Sequence, residues 1–386
     1  MRFLFHHRIA SRDGQSVHME EVIAALQRQG HETILVGPPG LMATGFGDSS
    51  KLIDRIKRCI PGALYELLEI AYNIPAFLRL RSAVRTHRPD VIYERFSLFL
   101  FAGILVRRLY GLPLLLEVNS PLFEERAKND GLRLHALGRW AQRLLWNRAD
   151  HVLPVTAVLG RIMAEYGVPA SRMTVIPNGV DPRRFNSVPD PTVSRAVLGL
   201  PNRLTLGFTG FIRGWNAVHR LIDFVAQVHD RLDLHILVVG DGPARSSLQA
   251  HAQARGVTDR LTITGIVARD DIGRYVGAFD IAVLPGLTPY SSPLKLFEYL
   301  QLGRAIVAPD TENIREILTN EEDALLFPPN REGAMEDALQ RLCTDTALRE
   351  RLGRNAHATI ETRSLTWDHN AERIASQAAA AIKRKL

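Results

Sequence analysis

Short apolar runs alternate with helical periods along the chain. Arg2–Phe5 and Thr33–Val36 read as buried strands flanking a helix over Val17–Gln29, which Gly30 stops. Asp90–Tyr93 and Leu114–Val118 have the same strand character, each preceded by a helical stretch and a Pro or Gly. His151–Val155 follows a long helical pattern around Leu134–Trp146. Ser187–Asn202, with Pro189, Pro191 and Pro201, reads as a linker or peripheral helix, after which the alternation starts again. Leu204–Phe208 predicts a strand and Trp215–His229 an amphipathic helix, apolar at 215, 218, 221, 222, 225 and 228. Leu234–Val239, Leu261–Thr264, Ile281–Leu284 and Ala305–Ala308 continue as strands. Such alternation predicts parallel, doubly wound α/β sheets, and its restart predicts two Rossmann-like domains, 1–186 and 203–364, joined by 187–202. Ligands of such sheets bind at the carboxyl ends of the strands, here in a cleft between two layers.

Length agrees with this division, since 386 residues exceed one ordinary core. Apolar residues make up 46% and charged residues 23%, which excludes a disordered chain. No uninterrupted apolar stretch reaches the roughly 18 residues of a membrane span. Phe3-Leu4-Phe5 precedes His6, His7 and Arg8, the order of a buried strand and not of a signal peptide. Cys59 and Cys343 form no CxxC or Cys/His pattern, so the expected setting is reducing, the cytoplasm. The net charge of +7 is one-sided: through Phe185 there are 25 Lys/Arg against 17 Asp/Glu, and beyond it 23 against 24. A basic first half attracts something anionic, whether nucleic acid, a phosphorylated substrate or a lipid surface. Lys51–Pro61 adds a basic amphipathic pattern, apolar at 52, 53, 56 and 60 with four cations between, which suits an anionic membrane or a surface helix packed on its own domain.

Several local strings carry chemistry. In Val175-Ile176-Pro177-Asn178-Gly179-Val180-Asp181 a strand runs into Pro177 and turns at Asn178-Gly179, an interdomain corner. Gly240-x-Gly242-x-x-Arg245 after a strand nearly spells a dinucleotide fingerprint. Arg245 replaces the third glycine and no acidic residue ends Leu261–Thr264, which disfavours an NAD-dependent oxidoreductase. Gly210-Phe211-Ile212-Arg213-Gly214-Trp215 joins a strand to a helix, where small residues let backbone approach a phosphate. Tyr290–Tyr299, reading YSSPLKLFEY, joins another strand to a helix and holds Lys295 and Glu298. His6, His7 and His18 lack a third ligand at metal spacing and read as strand-end and helix-face residues. Asp270-Asp271, directly before a helical pattern, reads as capping and not as a metal pair.

Taken in order, these strings resemble the large retaining family of bacterial glycosyltransferases with the GT-B fold, glycosyltransferase family 4. The resemblance rests on VIPNGVD at 175–181, Asp13-Gly14 before the first helix, VGDGP at 239–243 and Thr264-Gly265-Ile266-Val267. Trp367 and Asn370 resemble the start of its terminal helix, here 365–386, which packs back on the first domain. The SPLKxFEY string resembles a sub-group of that family.

The resemblance implies a transferase moving sugar from a nucleoside diphosphate sugar to a lipid-linked or polysaccharide acceptor, with retention and with no metal or other cofactor. Arg213 and Lys295 would stabilise the leaving diphosphate, and Glu298 would accept hydrogen bonds from ribose hydroxyls. Gly14, Gly210, Val267 and Leu294 would line the donor through backbone. Two positions depart from the family: Tyr290 and Pro293 stand where its E-x7-E motif has Glu and Gly. Asn119 stands where it often has His, and it hydrogen-bonds without titrating; Glu117 and Glu124 are the nearest carboxylates. Such an enzyme would work on surface glycans at the cytoplasmic face of the cell membrane, held there peripherally by its basic first domain. The alternatives are a nucleotide-sugar epimerase of the same fold and, less favoured, a nucleic-acid-binding protein, for which stacking aromatics and basic repeats are missing.

Overall fold

A computed structural model describes residues 1–9, 14–38, 60–129 and 131–385. The chain forms two compact units. One comprises Met1–Asn178, Tyr290–Ser292 and Trp367–Leu386; the other comprises Gly179–Pro289 and Pro293–Thr366. The sequence division at 186 therefore differs from the structural one, because the turn at Asn178-Gly179 is itself the crossing point.

The first unit is built on β1 (Arg2–His6), β2 (Glu32–Val36), β3 (Val91–Arg95), β4 (Leu114–Val118) and β5 (His151–Pro154), ordered β2-β1-β3-β4-β5 and all parallel. Both faces are covered by helices, so Leu114–Leu116 and Val91–Tyr93 are buried without alternation, as parallel strands require. The helix Trp367–Lys383 belongs to this unit and packs along Gly14–Arg28, with Arg28 paired to Asp368 and Trp367 lying 5.1 Å from the His18 ring.

In the second unit β6 (Leu204–Thr209), β7 (Leu234–Val239), β8 (Leu261–Ile263), β9 (Ile281–Val283), β10 (Ala305–Pro309) and β11 (Leu325–Phe327) take the order β11-β10-β9-β6-β7-β8, again parallel. Two expectations are corrected here. The helix expected from Trp215 begins at His219, because Ala217 takes a left-handed φ of 53° that ends a short 3-10 turn at Gly214–Asn216. Asp270 and Asp271 make no side-chain cap; they pair with Arg184 at 3.0 Å and Arg274 at 3.4 Å. Of the two readings of the stretch around Pro191, linker or peripheral helix, the structure has the helix, Pro191–Val197, capped by the Asp190 carboxylate. The basic Lys51–Pro61 pattern lies outside the described residues up to position 59, as does Asp13.

Candidate active site

The carboxyl edge of the first sheet carries a buried polar network. Strand register sets Glu94 and Arg95 of β3 beside His6 of β1 and Glu117 of β4. Glu117 accepts from Arg95 Nη1 at 2.6 Å, Tyr93 Oη at 2.7 Å and His18 Nδ1 at 3.1 Å, and also from Asn119 Nδ2. Burial alone would push this carboxyl up. The charges on His18 and Arg95 and the hydrogen bonds from His18 and Tyr93 outweigh it and hold Glu117 well below the usual carboxylate range. His6 pairs with Glu94, while His7 is pushed down to about 4 by burial and by the nearby His6 and Arg95 charges. His7 is neutral at pH 7, and its Nδ1 accepts from the Ile9 N–H at 3.1 Å. The histidines thus sit at a strand end and on a helix face. No group of three or more His, Cys, Asp or Glu among the described residues could hold a metal ion.

Asn119 stands one residue past β4. A deprotonated Glu117 has no hydrogen to give, so the amide donates through Nδ2 and keeps Oδ1 as an acceptor. Glu124 is engaged elsewhere, accepting from Gln142 at 2.8 Å and from the Tyr166 hydroxyl. Gly14 opens the helix Gly14–Arg28 and is exposed.

At the carboxyl edge of the second sheet, Gly210 follows β6 with φ 127°. Lys295, in the first turn of the helix Leu294–Gln301, is half-buried with Nζ 3.8 Å from the centre of the Phe208 ring. A Cβ on Gly210 would come within 2.8 Å of that Nζ, so glycine is what lets the ammonium reach the strand end. Burial pushes Lys295 down to about 7, with Glu298 pulling the other way. Lys295 is therefore not the exposed partner of a surface ion pair. Leu294 is the first helical residue after Pro293, and Tyr299 Oη accepts from the Thr209 N–H at 2.8 Å, tying this helix to β6. Val267 is half-buried past β8 and packs on the same core.

Arg213 goes a different way. Its guanidinium lies 4.9 Å from the Phe211 ring and 4.8 Å from Trp215, and it lines a cavity of about 250 Å³ with His219, Ser247 and His251. The glycines of VGDGP serve packing: a Cβ on Gly240 would strike the Gly210 carbonyl, and one on Gly242 the Ile212 backbone. The Ile212 N–H donates to Asp241 O at 2.8 Å, so the two loops are backbone against backbone. Tyr290 does not stand in for the missing Glu as a free acceptor. Its hydroxyl donates to Glu125 at 2.6 Å and its carbonyl accepts from Thr156 at 2.9 Å, both within the first unit. The network around Glu117 escapes sequence reasoning, since its members come from three strands and a helix; strand-end polar residues in otherwise apolar runs are the one signal.

Known proteins resemble this chain in both halves. Residues 12–184 match the model of Glycosyltransferase Family 4, and residues 203–345 match that of Glycosyl transferases group 1. An alpha-D-kanosaminyltransferase of Streptomyces kanamyceticus is 27% identical, over 66% of this chain and 68% of its own. A GDP-mannose-dependent alpha-mannosyltransferase of Mycobacterium tuberculosis is 26% identical, over 86% and 84%. Among solved structures, sucrose-phosphate synthase from Thermosynechococcus elongatus superposes with a TM-score of 0.78 at 16% identity, over 100% of both chains. HepE of Anabaena, in complex with UDP, gives 0.77 at 20%, over 98% of this chain and 100% of that one. The chain has the GT-B fold and is a glycosyltransferase assembled from these two domain types.

Proposed function

We propose that the protein is a retaining, nucleoside-diphosphate-sugar-dependent transferase that adds a sugar to a lipid-linked or polysaccharide acceptor in bacterial surface glycan synthesis. The observation that carries the donor reading is Lys295 over Gly210 at the end of β6, with Glu298 one helical turn on. A leaving diphosphate needs positive charge more than any other group, and a half-buried ammonium supplies it. HepE's complexes with UDP and UDP-glucose support a nucleoside diphosphate sugar as donor. The alpha linkages in the names of the two transferases above fit retention where the donor is itself an alpha-linked nucleoside diphosphate sugar. Thermal stabilisation by a panel of nucleotides and nucleotide sugars tests donor binding, because a ligand of the folded state raises apparent stability. Transfer that collapses in EDTA and returns with Mg²⁺ would overturn the role given to the cations. Conversion of donor to an isomer without acceptor would favour the epimerase reading.

The second part of the reading is peripheral attachment to an anionic membrane through the first unit. Among the described residues no helix is long and apolar enough to cross a membrane. The helix Gly62–Ala71 supports surface attachment because its polarity is inverted. Glu66 and Glu69 are buried, held by the Arg133 and Leu134 N–H groups and by Arg8 and Arg126, while Leu64, Leu67 and Leu68 are about half exposed. Ile74 and Leu78 extend this apolar surface onto the helix Asn73–His87.

A further inference from the structure

At the amino ends of β4 and β5, the edge of the first sheet away from Asn119, lies a cavity of about 560 Å³ that neither sequence motif nor donor chemistry explains. Five cations line it: Arg107, Arg148, Arg172, Arg384 and Lys385. Asp150 is the one carboxylate among the described lining residues, and it is already occupied. Arg107 binds it with two bonds of 2.6 Å, the Leu114 N–H donates to it at 2.8 Å, and Lys385 stands 3.3 Å away. Backbone carbonyls hold two of the cations in place: Arg172 donates to Asn147 O and Ala149 O, and Lys385 to Leu112 O. Arg148 and Arg384 make no side-chain hydrogen bond or ion pair among the described residues.

Helix ends account for part of this charge. The helices Ala102–Tyr110, His135–Arg148 and Trp367–Lys383 all terminate around the cavity, and each carboxyl end carries roughly half a negative charge. Three such ends and Asp150 offset about half of the five positive charges. What remains is an excess of roughly two to three positive charges in a cavity of ligand size. Anchored guanidinium groups with unspent donors are suited to phosphate oxygens.

We propose that this cavity is a second anion site, which takes a phosphate-bearing ligand of at least two negative charges, either a soluble diphosphate or a lipid phosphate headgroup. It lies outside the donor machinery and does not depend on the reading of that machinery. Calorimetric titration of the full chain tests it in a Lys295→Met background, which removes the donor-site ammonium. The probes are inorganic pyrophosphate and a short-chain phosphatidic acid below its micelle concentration. At least one probe should bind, and Arg148→Gln with Arg384→Gln should weaken that binding about tenfold or more. Both arginines are exposed, so an unchanged melting temperature is expected and verifies folding. Binding of pyrophosphate points to a soluble ligand, and binding of the phosphatidic acid alone points to a lipid. No binding of either probe, or equal binding with and without the two arginines, overturns the site.

Discussion

Glu117 accepts a hydrogen bond from the amide of Asn119, two residues along the same strand end, and so decides which way that amide faces. The carboxylate also balances the buried guanidinium of Arg95. Glu117→Gln leaves Arg95 without its counter-charge and should cost about 3–5 kcal/mol in chemical denaturation. Because the folded pKa is depressed, this stabilisation is present above the unfolded value near 4 and is lost only as pH falls below it. Asn119→Ala spares that charge balance. It should leave stability nearly unchanged while lowering kcat/KM for the acceptor about tenfold or more, through loss of the Oδ1 acceptor.

Lys295 predicts a proton linkage. With a folded pKa near 7 against 10.5 for the free side chain, it is partly neutral at pH 8, and a bound diphosphate restores its charge. Nucleotide binding at pH 8 should therefore take up a substantial fraction of one proton, read as a dependence of calorimetric enthalpy on buffer ionisation enthalpy. Lys295→Met should abolish the uptake. For the unliganded protein the sign is that of a lowered cation: stability attributable to Lys295 rises with pH from about 7 towards 10.5. Uptake unchanged in Lys295→Met would remove this residue from the diphosphate.

The sheets were legible because parallel strands buried on both faces are continuous apolar runs, and Leu234–Val239 coincides with β7. β11, Leu325–Phe327, was not read from the sequence, although it is no shorter than β8 and β9. Leu64, Leu67 and Leu68 have the spacing of a core-facing helix stripe, yet the structure turns Glu66 and Glu69 inward. Only the partners of those carboxylates, far away in sequence, set that orientation. Arg213 was placed on a loop by its glycines, but its stacking on Phe211 and Trp215 follows from loop geometry that spacing does not encode. Lys295 was visible as a cation near a helix start; its burial over Phe208 required the fold.

Two glycines separate backbone strain from close approach. Gly240 has φ 143° and abuts the Gly210 carbonyl, whereas Gly256 has φ 72° with nothing within 4 Å of a Cβ. Gly256→Ala should cost roughly 1–2 kcal/mol from conformation alone. Gly240→Ala should cost more in urea denaturation and also weaken nucleotide binding, because the Gly210 backbone beneath Lys295 must move. Equal costs, with nucleotide affinity intact, would show that the loops yield independently of the site.

The apolar face on Gly62–Ala71 predicts how membrane attachment fails. Leu67 and Leu68 are 51% and 48% exposed, so replacing both with Gln removes little packing and should leave melting within about 0.5 kcal/mol of wild type. On vesicles, burying each leucine is worth about 1.5–3 kcal/mol when complete and less at this exposure. Co-sedimentation with anionic vesicles should then fall about tenfold or more, and high salt should lower it further through the basic first half.

Glu298 is the residue on which the donor reading turns. It occupies the fifth position of Leu294–Gln301, beyond the first turn where a helix end stabilises a carboxylate, so the helix dipole alone predicts almost no effect of its removal. A ribose offers two adjacent hydroxyls to one carboxylate, and each hydrogen bond to a charged group contributes roughly 1.5–3 kcal/mol. Glu298→Ala should weaken nucleoside diphosphate binding about ten- to a thousandfold, and Glu298→Gln less, since its amide oxygen still accepts one bond. Titration with the free diphosphate needs neither the acceptor nor the correct sugar, which isolates the ribose contact. In an Arg148→Gln plus Arg384→Gln background, which removes the second anion site, affinity for inorganic pyrophosphate, which has no ribose, should change little in Glu298→Ala and fall in Lys295→Met. That crossed pattern distinguishes a ribose anchor from general damage to the site, and equal losses for both probes would sink the assignment.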